Sequence, residues 1–150
     1  MTAGQYQKIY LYKRIVQAKL FIDAHYAEKI DLSNIADEAY FSKFHFTRLF
    51  RDIYGKTPHH YLTQVRIDHA KQLLAKQFPV SEVCFLVGFE SVTSFAGLFK
   101  KLTGSAPSAF QLQQQERKTS IAASPLHFIP NCFAETKGWT KNSNFQETAF

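Results

Sequence analysis

The fold is decided by the stretch SKFHFTRLFRDIYG at residues 42–55, which returns in altered form as SVTSFAGLFKKLTG at residues 91–104. Ser42 is a good N-cap, and Gly55 is placed to end a helix in a left-handed turn. Between them the apolar residues recur at helical spacing and form one stripe, consisting of Phe46, Leu49, Phe50 and Ile53. The first stretch therefore predicts a helix from about Ser42 to Tyr54.

The similarity between the two stretches extends to the residues around them. Residues 32–36 (LSNIA) correspond to residues 80–84 (VSEVC) at an offset of 48, whereas Gly55 and Gly104 correspond at an offset of 49. The change of one residue falls inside a tight turn, where an insertion does least harm. Each unit therefore consists of a short helix, a turn and a longer helix, which is the helix-turn-helix arrangement. The longer helix of the second unit is predicted from about Val92 to Thr103.

Three further stretches carry helical periodicity. The first begins at Leu11, the second follows the good N-cap Asp31, and a longer one runs from about Pro58 to Ala75. Their apolar positions are, in turn, Leu11, Ile15, Ala18, Ile22 and Tyr26; Leu32, Ile35, Ala36 and Ala39; and Tyr61, Leu62, Val65, Ala70, Leu73 and Leu74. The sequence thus predicts an all-α protein whose two helix-turn-helix units are joined by a long linker helix.

The length of the linker helix bears on function. Roughly 18 residues rising about 1.5 Å each give a rod of about 27 Å. Successive major-groove turns on one face of B-DNA lie about 34 Å apart. A linker of this order would let a single chain place both units on one duplex. The net charge of +6 also favours an anionic partner.

Composition excludes several classes of protein. Of the 150 residues, 45% are hydrophobic and 20% charged, which is typical of a globular chain and not of a disordered one. No window approaches the roughly 18 consecutive apolar residues that a membrane span requires. Residues 1–8 lack the apolar stretch of a signal peptide, so we expect a cytoplasmic protein. Cys84 and Cys132 are too few for a disulfide framework and are interpreted as free thiols.

Catalytic and metal-binding motifs are not recognisable in the sequence. The six histidines are His25, His45, His59, His60, His69 and His127, and none has the spacing of a two-histidine metal motif. There is no glycine-rich phosphate loop, and neither Ser124 nor Cys132 lies in a nucleophile motif. We therefore expect no catalytic residue, no metal and no cofactor. Cys84 corresponds to Ala36 in the repeat and is predicted to be a small buried residue.

From about Ile15 to Phe110 the chain resembles the DNA-binding domain of the AraC/XylS family of bacterial transcription regulators. The resemblance rests on residues 39–51 (AYFSKFHFTRLFR) and on residues 87–91 (VGFES), with Phe95, residues 98–101 (LFKK), Gly104 and Pro107 following. It implies seven helices in two subdomains, with one recognition helix in each. It also implies the small stand-alone type of MarA and SoxS, with no effector-binding domain in front of the first helix. Tyr40 stands where relatives often have glycine, whereas Gly88 matches them.

The resemblance implies three parts. Residues 1–8 are an N-terminal extension, and residues 9–110 are the double helix-turn-helix domain, made of a first subdomain (9–57), the linker helix (58–76) and a second subdomain (77–110). Residues 111–150 form a C-terminal tail. The tail begins with a polar stretch and contains isolated aromatic residues without periodicity.

The first recognition helix carries most of the expected DNA contacts. Relatives read bases from positions that match Phe44, Thr47 and Arg48, and an arginine there can donate two hydrogen bonds to guanine. Ser42, Lys43 and Arg51 are expected at phosphates, which position the helix without reading sequence. Two alternatives stay open: Arg48 and Arg51 could be ordinary solvated residues, and Phe44 could belong to the core.

The second recognition helix is chemically poorer. Base contacts are expected from Val92, Thr93 and Ser94, and phosphate contacts from Lys100 and Lys101. Relatives often carry polar or basic residues where this chain has Ala96 and Gly97. The alternative for these small residues is that they only permit a close approach to the DNA.

Three hypotheses about function follow from these observations. The first is a sequence-specific regulator that binds duplex DNA as a monomer and activates transcription by contacting RNA polymerase, with no membrane partner. The second is a helical protein–protein adaptor that uses the aromatic C-terminal tail. An enzyme is the third and least supported hypothesis.

Overall fold

The computed structural model describes residues 2–33, 36 and 42–123, whose regular secondary structure consists of helices, with no β-strand among the described residues. Six helices are complete within these ranges: α1 (Ala3–His25), α2 (Lys43–Tyr54), α3 (Pro58–Ala75), α4 (Val80–Leu86), α5 (Val92–Thr103) and α6 (Pro107–Ala123). The predicted all-α class is confirmed. Residues 32, 33 and 36 are helical as well. The rest of the helix expected after Asp31 and the turn at Tyr40 lie outside the described residues.

The sequence repeat produces the same local structure twice. The Oγ atoms of Ser42 and Ser91 cap α2 and α5, each accepting a hydrogen bond from the amide three residues later, at 3.2 and 3.4 Å. Gly55 and Gly104 end these helices with φ angles of 74° and 87°. Only glycine adopts this left-handed conformation without steric cost, so the predicted helix ends are confirmed.

The core of the first unit forms between α1, α2 and α3. Its buried members are Ile15, Ala18, Ile22, Ala36, Phe46, Phe50 and Leu62. Leu11, Tyr26 and Leu49 are half-buried against it, so the predicted stripes of α1 and α2 face inward. Ile53 is the exception, since its side chain is 37% exposed at the edge of the core.

The linker helix α3 is shared by both units, because it contacts α1 and α2 on the one hand and α4 and α5 on the other. Its buried side chains beyond Leu62 are Ile67, Ala70 and Leu74. The buried side chains of the second unit are Val83, Cys84, Val87, Phe95 and Phe99. Cys84 is fully buried, as its correspondence to Ala36 predicted. All these buried residues lie in one compact part of the chain, Met1–Pro107. Nearly all of α6 lies in a second compact part, Ser108–Phe150.

Two helices extend beyond the apolar pattern that predicted them. Helix α1 begins at Ala3 and not at Leu11, and its first turn is closed by a hydrogen bond from the Thr2 backbone amide to Gln5 Oε1 at 2.9 Å. Helix α6 continues past Phe110 to Ala123 through glutamine, lysine, arginine and alanine residues, which are good helix formers. The start of the expected tail is therefore helical. Within the described ranges, no helix combines the length and apolarity that crossing a bilayer requires.

A polar network joins α1 to α3 beside the first core. The Tyr61 hydroxyl donates to Asp23 Oδ1 at 2.6 Å, and Lys19 Nζ lies 2.7 Å from Asp23 Oδ2. Burial by itself raises the pKa of the Asp23 carboxyl, but the hydrogen bonds from Lys19 and Tyr61 outweigh burial and lower it below its ordinary value. The ionised carboxylate therefore stabilises the contact between the two helices.

Replacing Tyr61 with phenylalanine is expected to lower the free energy of unfolding by about 1 kcal/mol at pH 7, since one hydrogen bond to a carboxylate is lost. A carboxyl whose folded-state pKa is lowered contributes stability above its unfolded pKa and loses it as the pH falls through the folded pKa. The difference between the wild type and the variant should therefore shrink below about pH 4. Urea unfolding at several pH values measures it, and a difference that is constant with pH would contradict this role for Asp23.

Candidate nucleic-acid interface

The outer face of α2 brings together five of the six residues predicted for the first unit. An open concavity on this face is lined by Lys43, Phe44, Thr47, Arg48 and Arg51. Their spacing places them on the side of the helix opposite the buried residues Phe46 and Phe50. Thr47 is half-buried and the other four are exposed. We call this set the α2 face.

Phe44 lies outside the core, which decides between the two alternatives that periodicity left open. Its side chain is 82% exposed, the largest exposure among the large hydrophobic residues that the structure describes. An apolar ring in water has no stabilising role in the folded chain itself. Phe44 therefore presents an apolar surface between basic residues.

The basic groups of the α2 face are available to an outside partner. Among the described residues the ion pairs are Lys19–Asp23, His25–Glu28 and Lys71–Asp68. None of them involves Lys43, Arg48 or Arg51, and no side-chain hydrogen bond in the described ranges does either. The guanidinium groups thus keep their donors unoccupied on a helix surface, the arrangement from which arginine recognises guanine or phosphate.

Ser42, the sixth predicted residue, lies at the start of the same helix. Its Oγ accepts from the His45 amide and so fixes the beginning of α2. A hydroxyl that accepts one hydrogen bond can still donate another. Ser42 is exposed, so this donor faces solvent next to Lys43.

The outer face of α5 is smaller and less charged. Val92, Thr93 and Ser94 are exposed, and so are Lys100 and Lys101 further along the helix. At the repeat offset of 49, the position of Arg48 corresponds to Gly97. A Cβ atom added at Gly97 would meet no atom within 4 Å. The two units therefore present unequal faces, one rich in arginine and one with an empty position.

The sequence did not predict a role at the candidate site for two residues near these faces. His59, in the first turn of α3, lines a second concavity together with Lys43 and Thr47. Arg66, in the middle of α3, makes contacts with segments about 40 residues away in sequence. The sequence carries no local signal for Arg66, because its partners Tyr26 and Glu28 are distant in sequence.

Two of the histidines and the described cysteine make contacts within the fold. The His69 ring stacks on Tyr26 with centroids 3.9 Å apart, and His25 Nδ1 lies 3.2 Å from Glu28 Oε2. Burial raises the pKa of the Cys84 thiol, which keeps it protonated. Within the described part of the chain, no three His, Cys, Asp or Glu residues are grouped as metal ligands would be. Ser124, His127 and Cys132 lie outside that part, as do the aromatic residues of the C-terminal tail.

Comparison with known proteins places the sequence among transcription regulators. A family model described as a helix-turn-helix domain matches residues 35–113. The chain is 38% identical to the probable transcriptional regulator LumQ of Photobacterium leiognathi, over 61% of this chain and 37% of LumQ. It is 32% identical to the probable transcription factor PqrA of Proteus vulgaris, over 56% of this chain and 70% of PqrA. The chain thus spans little more than a third of LumQ but most of PqrA.

The structure is similar to a DNA-binding domain whose complex has been solved. The DNA-binding domain of AdpA, described as a global transcriptional factor in complex with a target DNA, superimposes with a TM-score of 0.66 at 29% identity. The match covers 70% of this chain and 96% of the AdpA domain. The helical arrangement described above is therefore similar to that of the AdpA domain over almost the whole length of that domain.

Proposed function

Because this chain belongs to the AraC-type family of helix-turn-helix transcription regulators, we propose that it binds one duplex as a monomer, with α2 and α5 in successive major-groove segments. The observation that carries this proposal is the α2 face, where one exposed aromatic ring and three cations that form no ion pair with any described residue line a single concavity. Such a surface suits DNA, since phosphates attract the cations and base edges offer acceptors and thymine methyl groups.

The proposed contacts divide by chemistry. Phe44, Thr47 and Arg48 read bases in the first half of the site, while Val92, Thr93 and Ser94 read the second half more weakly. Phosphates are contacted by Ser42, Lys43, Arg51, Lys100 and Lys101. The contrast between Arg48 and the empty position at Gly97 supports an unequal pair of half-sites.

The proposal extends to the regulatory outcome. A monomer that occupies one face of the duplex leaves its remaining surface open to the transcription machinery, and we propose that it activates by contacting RNA polymerase. It acts in the cytoplasm, without a catalytic residue or a cofactor. The adaptor hypothesis depends on the aromatic residues of the C-terminal tail (111–150), which lie outside the described residues.

Selection of bound fragments from random duplex DNA tests the proposal. We expect two unequal blocks of preferred sequence whose centres lie about 10 base pairs apart. Binding should weaken steeply as salt rises, because several phosphate contacts release counterions. A chain that enriches no sequence, or whose DNA affinity does not respond to salt, would refute the proposal.

The exposed ring of Phe44 gives a separate test. Replacing Phe44 with alanine is expected to change the free energy of unfolding by less than about 0.5 kcal/mol, because the ring contributes almost no burial. Affinity for the selected site should fall several-fold, since an apolar contact with a thymine methyl is lost. Thermal unfolding and fluorescence anisotropy measure the two effects. A stability loss without an affinity loss would place Phe44 in the core after all.

A further inference from the structure

Arg66 connects three parts of the double helix-turn-helix domain with one side chain. It is the ninth residue of the 18-residue helix α3. Its Nε donates to the Tyr26 carbonyl at 2.7 Å, and its Nη2 donates to the Glu28 carbonyl at 2.9 Å. Its guanidinium also lies 5.7 Å from the centre of the Phe89 ring. Tyr26 and Glu28 follow α1 in the first unit, whereas Phe89 lies in the turn between α4 and α5 of the second.

The turn of the second unit contacts the same backbone segment directly. Gly88 has a φ of 97°, and a Cβ atom added there would lie 2.9 Å from the Tyr26 carbonyl oxygen and 3.0 Å from that of Ala27. The turn therefore approaches the segment after α1 as closely as only glycine permits. Arg66 sits at this junction and is partly desolvated, which lowers its pKa against the opposing effect of Glu90.

We propose that Arg66 is a positioning residue that fixes α5 relative to α2 and so sets the half-site spacing that the protein accepts. The guanidinium group donates hydrogen bonds to two backbone carbonyls of the first unit. Its planar face lies over the Phe89 ring in the turn that precedes α5. This inference rests on the proposed DNA-binding function and specifies how the two recognition helices are kept in register.

The physical basis is the geometry of DNA. One base pair more or less between the half-sites moves the second block by about 3.4 Å and rotates it by about 35°, since a turn holds 10–10.5 base pairs in about 34–36 Å. A junction held by Arg66 cannot follow this movement, so base contacts of α5 are lost. A junction without the guanidinium can shift, and the contacts are then partly regained.

The test uses the full chain and its selected site, alongside sites with one base pair inserted or removed between the half-sites and a duplex with the first half-site alone. The variant Arg66→Met removes the charge and keeps the side-chain bulk, while Arg66→Lys keeps the charge and loses the fork. Arg14 supplies a matched control, because it donates twice to the Tyr10 hydroxyl and lies over that ring, all within α1. Arg14→Met therefore removes similar contacts without touching the junction.

For the wild type and Arg14→Met, changing the spacing by one base pair should reduce affinity by about tenfold or more, comparable to a mismatch at the second block. For Arg66→Met, the reduction should shrink to about threefold or less, with affinity for the first half-site unchanged. Arg66→Lys should fall between, because lysine cannot donate to both carbonyls in the same geometry.

Two outcomes separate this inference from the function on which it rests. A wild-type chain that selects no DNA sequence refutes the proposed function and this inference with it. A wild-type chain that selects a site, while Arg66→Met and Arg66→Lys keep the full spacing penalty, refutes this inference alone. If Arg66→Met does not fold, as seen by circular dichroism, the spacing profile of Arg66→Lys decides.

Discussion

Replacing Arg48 with alanine is expected to lower affinity for the selected DNA site by about 10- to 100-fold, the range that one bidentate contact to guanine provides. The side chain is exposed at the centre of the α2 face and forms no ion pair within the described residues, so the fold does not depend on it. The loss should be specific. A site mutated at the base that Arg48 reads should bind the wild type and the variant with nearly equal affinity.

Arg51→Ala is the matched comparison, since it removes the same group from the same face. If Arg51 contacts a phosphate, the variant should weaken binding to all sequences by a similar factor and reduce the slope of log affinity against log salt by about one. Anisotropy titrations at four salt concentrations measure both variants. If Arg48→Ala weakens binding to all DNA sequences by the same factor, the assignment of Arg48 to a base is wrong.

Replacing Phe50 with alanine is expected to lower the free energy of unfolding by about 3–5 kcal/mol, the usual cost of a large cavity in a core. Phe50 is fully buried, with ring centroids of Phe46, Tyr54 and Tyr61 at 6.0, 4.9 and 5.6 Å. Because a domain of this size is stable by only about 5–15 kcal/mol, a large fraction of that margin would be lost. DNA binding should then be lost at a lower temperature than in the wild type, as the first unit unfolds earlier.

Urea unfolding followed by circular dichroism measures this effect. Phe44→Ala is the control, because it deletes the same ring six residues earlier on the exposed side of the same helix. The two variants should differ in stability by about 3 kcal/mol or more. Similar stabilities would mean that Phe50 is not a core residue of the folded protein.

Much of the fold could be predicted because its determinants are local or repeated. Ser42 and Gly55 define a helix through their own backbone preferences, and the repeat extends the same argument to Ser91 and Gly104. The start of α1 at Ala3 was not predicted, because the inward stripe begins only at Leu11 and the helix is apolar on more than one side. Its outer side carries Ile9, Tyr12, Val16 and Leu20, which are 42–56% exposed. Two apolar faces weaken the one-sided periodicity that marks a helix.

The residues of the candidate site also divide into those that could be predicted from the sequence and those that could not. Four members of the α2 face, namely Lys43, Thr47, Arg48 and Arg51, followed from helical spacing once the inward stripe was known. Phe44 did not, since spacing alone cannot tell whether a ring at the edge of a stripe turns inward. Arg66 could not be assigned at all, because its partners Tyr26 and Glu28 are 40 and 38 residues away in sequence. Such long-range contacts become visible only after the helices have packed.

The open space around Gly97 allows this position to gain a side chain without a steric clash. Acquiring a new specificity commonly weakens a protein, so that binding and stability are exchanged against each other. At Gly97 the surrounding space is open, and a longer residue in the middle of a helix is favoured over glycine by up to about 1 kcal/mol. A single codon change could therefore add one more proposed DNA contact to α5 and stabilise that helix at the same time.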